Sequence, residues 1–210
     1  MSIHVRKLTF DFSENFSVLP NPDDIRGSCE LLGVSFTLPY LEPYLIRTMR
    51  IALKHVTDPR IAEDMRRFSA QEGNHYRSHA LVNEMIRERL TPETATEIAR
   101  IEQELKADYA RFSKEKSLKF NLAYAEGFEA MTLAFTLAGM DRQPESFDPA
   151  WRDLLEWHGA EEIEHRTVAY DAYHHIINIS NPTGTPRLYS VVGNICETDT
   201  FAWDRKLNEV

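Results

Sequence analysis

The sequence predicts an all-α protein built around a four-helix bundle with additional peripheral helices. Apolar residues recur at the helical period of about 3.6 residues from position 39 to about position 178, and no convincing strand pattern interrupts them. Asp58, Thr91 and Asp148 each precede a proline, a pair of residues that favours the start of a helix. These observations predict helices over about 40–56, 59–89, 92–111, 116–139 and 149–178, and the polar third helix is expected at the periphery.

The segment before the bundle has no clear period. Residues 1–36 alternate only weakly and contain several prolines and glycines, so we expect an irregular N-terminal arm with at most a short strand. Pro39 and Pro43 suit the first turn of the first helix. The length fits a single domain over 1–210, with a bundle core of about 38–178.

The composition disfavours several classes of protein. Of the 210 residues, 42% are hydrophobic and 10% are aromatic, which argues against wholesale disorder. The net charge of −9 and the lack of a Lys/Arg cluster argue against binding to nucleic acid or to an anionic membrane. The N-terminus lacks the apolar region of a signal peptide, and the longest apolar stretch is too short to span a bilayer. Cys29 and Cys196 are far apart, which disfavours a disulfide framework, so we expect a cytoplasmic protein in which both are buried.

Two segments carry the motif Glu-x-x-His, Glu72–His75 on the second helix and Glu162–His165 on the fifth. A spacing of three residues places both side chains of a motif on one helical face. Each motif interrupts an otherwise apolar stripe. The two stripes are Ile61, Met65, Phe68, Glu72, His75, His79, Val82 and Ile86, and Trp151, Leu155, His158, Glu162, His165, Ala169, Ala172 and Ile176. A carboxylate buried there without a partner would be strongly unfavourable, and a bound cation removes that cost.

The other two bundle helices supply matching carboxylates. The first carries Glu42 ahead of its apolar face, and the fourth carries Glu126 and Glu129, of which Glu129 lies on the apolar stripe. One Glu from each of two helices and Glu-x-x-His from each of the other two is the ligand set of ferritin-like proteins that bind two iron or manganese ions. We therefore predict a ferritin-like two-metal domain. Its metal ligands would be Glu42, Glu72, His75, Glu129, Glu162 and His165, around two iron ions, with manganese or a mixed iron–manganese pair as alternatives.

Further ionisable residues lie beside the two motifs. His158 precedes Glu162 by four residues and His79 follows His75 by four, so either is an additional ligand or a residue that orients a ligand. Glu161 and Glu164 flank the second motif and are expected to be solvated.

These residues carry two resemblances to known families. Segments 68–75 and 158–171, together with 38–50 and 129–132, are similar to a ferritin-like family described as predicted metal-dependent hydrolases. The likeness covers roughly residues 33–176.

The second resemblance is one of ligand order alone. Glu42, Glu72, His75, Glu129, His158, Glu162 and His165 follow an order that resembles the seven-ligand pattern of the p-aminobenzoate N-oxygenase family. In that family a third imidazole binds the di-iron centre, which implies that His158 is a ligand and that His79 lies behind the ligands. The wider sequence is not close to that family, so its substrate is not implied.

The leading hypothesis is a non-haem di-iron oxygenase or oxidase that activates O2 to oxidise a small organic substrate. Such an enzyme would need an electron donor, would bind neither nucleic acid nor membrane, and is compatible with a homodimer. The alternative is a dinuclear metal-dependent hydrolase, in which metal-activated water attacks an ester, amide or phosphate. A second alternative is an iron-binding protein with ferroxidase activity, which would assemble into a large cage.

Overall fold

The computed structural model describes residues 3–13, 15–139 and 144–180 of the chain. Six α-helices follow one another in this part of the chain. They are α1 (Ile25–Ala52, extended by a 3-10 turn over Leu53–His55), α2 (Pro59–Arg87), α3 (Pro92–Glu115), α4 (Leu118–Gly139), α5 (Pro149–His165) and α6 (Val168–Ser180). These residues contain no β-strand, so the all-α prediction is confirmed. The ferritin-like topology and the single domain over 1–210 stay predictions.

Three helix starts follow the predicted capping signals. The Asp58 side chain accepts hydrogen bonds from the amides of Arg60 and Ile61 at the start of α2. Thr91 caps α3 and Asp148 caps α5 in the same way, and a proline occupies the first turn of each of these helices. The side-chain oxygens satisfy amides that the first helical turn leaves without partners, so the chain enters these helices where the sequence predicted.

The predicted start of the first helix is wrong. Helix α1 begins at Ile25 after the cap Asp24, and Pro39 and Pro43 lie inside the helix instead of in its first turn. A proline in a helix interior removes a backbone hydrogen bond and is unfavourable by itself. Tertiary contacts offset this cost, because Phe36 packs in the core and the buried Ser35 side chain donates to Asn83 on α2.

The predicted fifth helix is two helices. Helix α5 ends at His165, and α6 begins at Val168 after a two-residue turn. Arg166 keeps helical backbone angles (φ −47°, ψ −21°), and neither residue of the turn is a proline or glycine. No local signal therefore marks this break, which falls directly after the last predicted metal ligand.

Two apolar clusters form the core. The first joins α1, α2, α3, α4 and α6, and it includes Leu41, Leu45, Met65, Phe68 and Leu122. The second joins the segment before α1 to α1, α2 and α5, and it includes Phe16, Phe36, Val82, Trp151 and Trp157. Helix α3 buries few residues, mainly Tyr109 and Phe112 against α1, so its predicted peripheral position is confirmed.

The predictions for the cysteines and for membrane spans have separate outcomes. Cys29 is exposed on the N-terminal part of α1, so the expectation that it is buried was wrong. Cys196 lies outside the described residues. In the part of the chain that the structure describes, no helix is both long and apolar enough to cross a membrane.

Leu41 tests the contribution of the first apolar cluster. Its side chain is 0% exposed, whereas Leu81 on α2 is 63% exposed and serves as a matched control. Leu41→Ala should lower the free energy of unfolding by about 2–5 kcal/mol, because it removes buried methylenes and leaves a cavity. Leu81→Ala should change it by less than about 0.5 kcal/mol. Urea unfolding of the metal-free chains measures both values, and equal losses would contradict this core assignment.

Candidate metal centre

The structure brings all seven predicted site residues together from four helices. They are Glu42 on α1, Glu72 and His75 on α2, Glu129 on α4, and His158, Glu162 and His165 on α5. None of the seven residues is more than 6% exposed, so the cluster lies in the protein interior. Phe68 of the first apolar cluster contacts His165 with ring centroids 4.7 Å apart, and Trp157 of the second contacts His75 at 4.9 Å. The polar cluster therefore lies between the two apolar clusters.

The seven side chains form two groups, each with room for one ion. In the first group, one donor atom each from Glu42, His75 and His158 lies within 4.8 Å of the others. In the second, Glu72, Glu162 and His165 meet the same criterion. Glu129 joins the second group, because its Oε2 lies 3.2 Å from Nε2 of His165.

Glu162 connects the two groups. Its Oε1 lies 3.0 Å from Nε2 of His158 and 3.5 Å from Nδ1 of His75, both in the first group. Its Oε2 lies 3.3 Å from Nε2 of His165 in the second group. One carboxylate oxygen thus faces each group, which is the arrangement that a carboxylate bridging two metal ions requires.

Several oxygen and nitrogen atoms that face the middle of the cluster, and that could coordinate a metal ion, have no hydrogen-bond partner. These atoms are both carboxylate oxygens of Glu42, Oε1 of Glu72, Nδ1 of His75, Oε2 of Glu129 and Nε2 of His165. Buried polar atoms in folded proteins are nearly always hydrogen-bonded, because each unpaired one costs desolvation free energy. Metal coordination would satisfy all of these atoms, so the residues present fit a pair of cations.

The contact with Glu161 determines which ring nitrogen of His75 carries the hydrogen. Nε2 of His75 lies 3.0 Å from Oε2 of Glu161, and an ionised carboxylate only accepts hydrogen bonds. Nε2 therefore carries the hydrogen, which leaves the lone pair of Nδ1 pointing into the first group. A histidine that donates its outer N–H to a carboxylate is the usual form of a metal-binding histidine.

Gln71 fixes His165 in the same way. The Gln71 amide nitrogen donates to the carbonyl of His4 at 3.2 Å and to Oε2 of Glu164 at 2.9 Å, so its oxygen must face His165. That oxygen accepts from Nδ1 of His165 at 2.9 Å. Nε2 of His165 is then the nitrogen that is directed into the second group.

A longer chain of hydrogen bonds orients His158. The Asn83 amide nitrogen donates to the Ser35 carbonyl, so the Asn83 oxygen accepts from the Ser35 hydroxyl at 2.6 Å. The same hydroxyl oxygen is then free to accept from Nδ1 of His79 at 2.9 Å. Nε2 of His79 in turn accepts from Nδ1 of His158 at 2.9 Å, which directs Nε2 of His158 into the first group. Both nitrogens of His79 are occupied, so His79 lies behind the cluster and orients His158.

Burial and mutual repulsion perturb the ionisation of the carboxyls. Burial raises the pKa of Glu42 and Glu72 well above the usual range, and neighbouring carboxylates raise both further. Burial raises the pKa of Glu129 as well, with a further rise from Glu162. Burial also acts to raise the pKa of Glu162, but the imidazoles of His165 and His158 outweigh it and leave that pKa well below the usual range.

The imidazoles are perturbed in opposite directions. Burial lowers the pKa of His75 well below the usual value. Burial acts in the same direction on His165, but Glu162 and Glu129 outweigh it and raise the pKa of His165 well above the usual value. Without an ion, the cluster therefore neutralises itself by keeping protons on several of its donor atoms.

Glu129 was preferred over Glu126 from the sequence, and the structure places Glu129 in the cluster while Glu126 lies partly buried near His174 on α6. The expectation that Glu161 and Glu164 are solvated was wrong. Glu161 is 0% exposed and the Glu164 side chain is 12% exposed, because both accept hydrogen bonds from Arg6 in the N-terminal segment. The sequence contains no local signal for these contacts.

Sequence reasoning also missed Gln71, although it directly precedes Glu72 on α2. Its burial beside the motif would have identified it. That signal depends on the packing of α2 against α5, which the sequence alone does not show.

The family model for predicted metal-dependent hydrolases matches residues 4–195. The chain belongs to this family. No curated protein and no solved structure matches the chain significantly.

Membership of the predicted metal-dependent hydrolase family confirms the family named in the first resemblance and supports a metal-dependent enzyme, while the ferritin-like fold stays a prediction. The family description fits the hydrolase alternative better than the oxygenase hypothesis. The resemblance to the N-oxygenase family, the identity of the metal and the ligand roles of the seven residues stay predictions.

The variant Glu162→Gln should bind less metal than the unmodified chain. The neutral amide removes one charge, and its nitrogen cannot coordinate in the way that the second carboxylate oxygen does, so the link between the two groups is lost. We expect about two ions per chain in the unmodified protein and at most about one in the variant, as measured by elemental analysis after loading and gel filtration. Glu156→Gln, an exposed change on the same helix, is the control and should retain both ions. Two retained ions in Glu162→Gln would contradict the bridging position.

Metal binding should release protons and should weaken as the pH falls. The pKa values of Glu42, Glu72 and His165 are raised, so these groups hold protons to a higher pH than usual. An ion binds only their unprotonated forms, and its affinity therefore rises with pH until all three have lost their protons. Calorimetric titration in two buffers of different ionisation enthalpy measures the number of protons released, and a value of zero at mildly acidic pH would contradict this charge arrangement.

Proposed function

We propose that the seven clustered residues hold two metal ions and that the chain is a dinuclear metal enzyme. The observation that carries this proposal is the convergence of buried, unpartnered donor atoms on two groups that share Glu162. Four carboxylates would balance the charge of two divalent ions. The three outward hydrogen-bond chains support the same conclusion, because each one directs the other ring nitrogen of an imidazole inward, where a metal ion would replace any proton on it.

We propose further that the enzyme is an oxygen-dependent oxidoreductase with two iron ions. The first group offers two histidines and one carboxylate, a donor set that holds catalytic ferrous iron in many oxygenases, and the second group is rich in the carboxylates that iron and manganese accept. When bound, ferrous ions would supply electrons to dioxygen, and an external electron donor would return them. The substrate would be a small organic molecule.

The chain's own residues prepare the site for this chemistry. The apolar residues Phe68 and Trp157 lie directly against His165 and His75 and exclude water from two sides of the cluster. Glu161 and Gln71 hold these two imidazoles in one orientation, and His79 holds the third. A rigid, largely dry surrounding of this kind strengthens the electrostatic interactions inside it.

Hydrolysis at the same centre is the second candidate, and the family description favours it. A set of two histidines and one carboxylate also holds catalytic zinc in hydrolases. Such a reaction commonly uses a nearby general base. Two titratable residues that contact the cluster, Glu161 and His79, already orient histidines, so neither is free to serve as that base.

A comparison of metal-loaded samples separates the two candidates. The chain is loaded anaerobically with two equivalents of Fe(II), Mn(II) or Zn(II). The iron sample should consume oxygen faster than free Fe(II) at the same concentration, and Glu162→Gln should lose most of that rate while Glu156→Gln retains it. The manganese and zinc samples should show no hydrolysis of a panel of ester, amide and phosphate compounds.

The opposite pattern would overturn the oxidoreductase proposal. Iron that is inert to oxygen, together with hydrolysis that depends on Glu162, would establish the hydrolase instead. Retention of far more than two irons per chain would indicate the iron-handling alternative.

A further inference from the structure

Residues 3–13 are the first described part of the predicted N-terminal arm and are called the arm from here on. They lie along α2 and α5 without forming a strand. Side chains of α2 donate hydrogen bonds to main-chain carbonyls of the arm, as a neighbouring strand would do in a sheet. Gln71 donates to the carbonyl of His4 at 3.2 Å, and Asn74 donates to the carbonyl of Arg6 at 2.7 Å. Ile3 is buried in the first apolar cluster and fixes the beginning of the arm.

Arg6 joins the arm to α5 through two carboxylates. Its guanidinium donates to both oxygens of Glu164, at 2.6 and 3.1 Å, and to Oε1 of Glu161 at 3.3 Å. The backbone amide of Arg6 also donates to Oε1 of Glu161, and the amide of His4 donates to Oε2 of Glu164. Each carboxylate is therefore held by one main-chain and at least one side-chain donor of the arm.

Both carboxylates are connected by hydrogen bonds to histidines of the metal centre, Glu161 directly and Glu164 through Gln71. The second oxygen of Glu161 accepts from Nε2 of His75, which belongs to the first donor group. Oε2 of Glu164 accepts from Gln71, whose oxygen holds His165 of the second group. One residue thus separates the arm from each imidazole, Glu161 in the case of His75 and Gln71 in the case of His165. Glu164 provides a second route from the arm to Gln71.

We propose that Arg6 is a positioning residue of the metal centre and that docking of the arm and binding of metal are coupled. This inference rests on the dinuclear centre proposed above. The arm completes the outer hydrogen bonds of His75 and His165, whereas His158 is held through His79, Ser35 and Asn83 of α2 and α1. Two of the three imidazoles therefore depend on the arm.

The coupling follows from the geometry of Glu161. Its side chain is 0% exposed, and Arg6 supplies its charged partner. Removal of the guanidinium leaves Oε1 with the main-chain amide alone, so the carboxylate holds His75 less firmly. Loss of the outer hydrogen-bond partner of a ligand typically weakens metal binding by about 10–100-fold, and this range is the upper limit for Arg6, which acts through Glu161. By thermodynamic linkage, bound metal must strengthen the docking of the arm by the same factor that the docked arm strengthens metal binding.

The test compares Arg6→Ala with Lys7→Ala, which removes the same charge from a neighbouring exposed position of the arm. Cobalt(II) is the probe, because its affinity and its visible spectrum both report on the ligands. Arg6→Ala should bind the first cobalt ion more weakly than the unmodified chain, by up to about 10–100-fold, and should alter the cobalt spectrum. Lys7→Ala should match the unmodified chain, and Arg6→Lys, which keeps a charge but not the two-pronged contact, should fall between them.

Hydrogen exchange gives the reciprocal measurement. Cobalt should slow the exchange of the His4 and Arg6 amides in the unmodified chain, and this protection should be smaller in Arg6→Ala. If the unmodified chain binds no metal, the dinuclear centre itself is refuted. If it binds two ions but Arg6→Ala matches Lys7→Ala in affinity and spectrum, the coupling alone is refuted. Weaker binding with an unchanged spectrum and a lower melting temperature of the metal-free variant would show a merely structural role and would also refute it.

Discussion

Four carboxylates buried together in a helical core are the constraint on which the rest of the structure depends. Glu42, Glu72, Glu129 and Glu162 are each 4% exposed or less. Like charges that are buried together in a nonpolar interior repel one another strongly. The raised pKa values of the first three show how the fold would neutralise them with protons alone. Two divalent cations neutralise the same charge and also satisfy the unpartnered oxygens, which protons do only in part.

The surroundings of the cluster are built to orient its imidazoles. Each of the three is held on its outer nitrogen by a different acceptor, a carboxylate for His75, an amide oxygen for His165 and a second imidazole for His158. In each case the acceptor is fixed by further partners, so contacts outside the cluster decide which ring nitrogen faces inward. The organisation of the centre therefore extends to α1 through Ser35 and to the N-terminal arm through Arg6.

The sequence predicted the features that depend on spacing along one helix and missed those that depend on contacts between distant segments. Helical period and capping pairs located most helices, and the apolar stripe correctly separated Glu129 from Glu126. The early start of α1 was missed because Pro39 indicates a helix start, while packing of Phe36 maintains the helix through it. The burial of Glu161 was missed because its partner Arg6 lies 155 residues away in the chain.

The family description and the ligand set agree on a metal-dependent enzyme and differ on its chemistry. Both reactions move protons, because a hydrolase takes one from the attacking water and an oxidoreductase that reduces dioxygen adds protons to it. In this structure Glu161 accepts a hydrogen bond from His75, and His79 accepts one from His158. A residue that must keep an imidazole in place is poorly suited to exchange protons with a substrate, because each transfer would disturb the ligand it holds. Glu161 and His79 therefore orient imidazoles in either reaction, and the proton must move through a group other than these two.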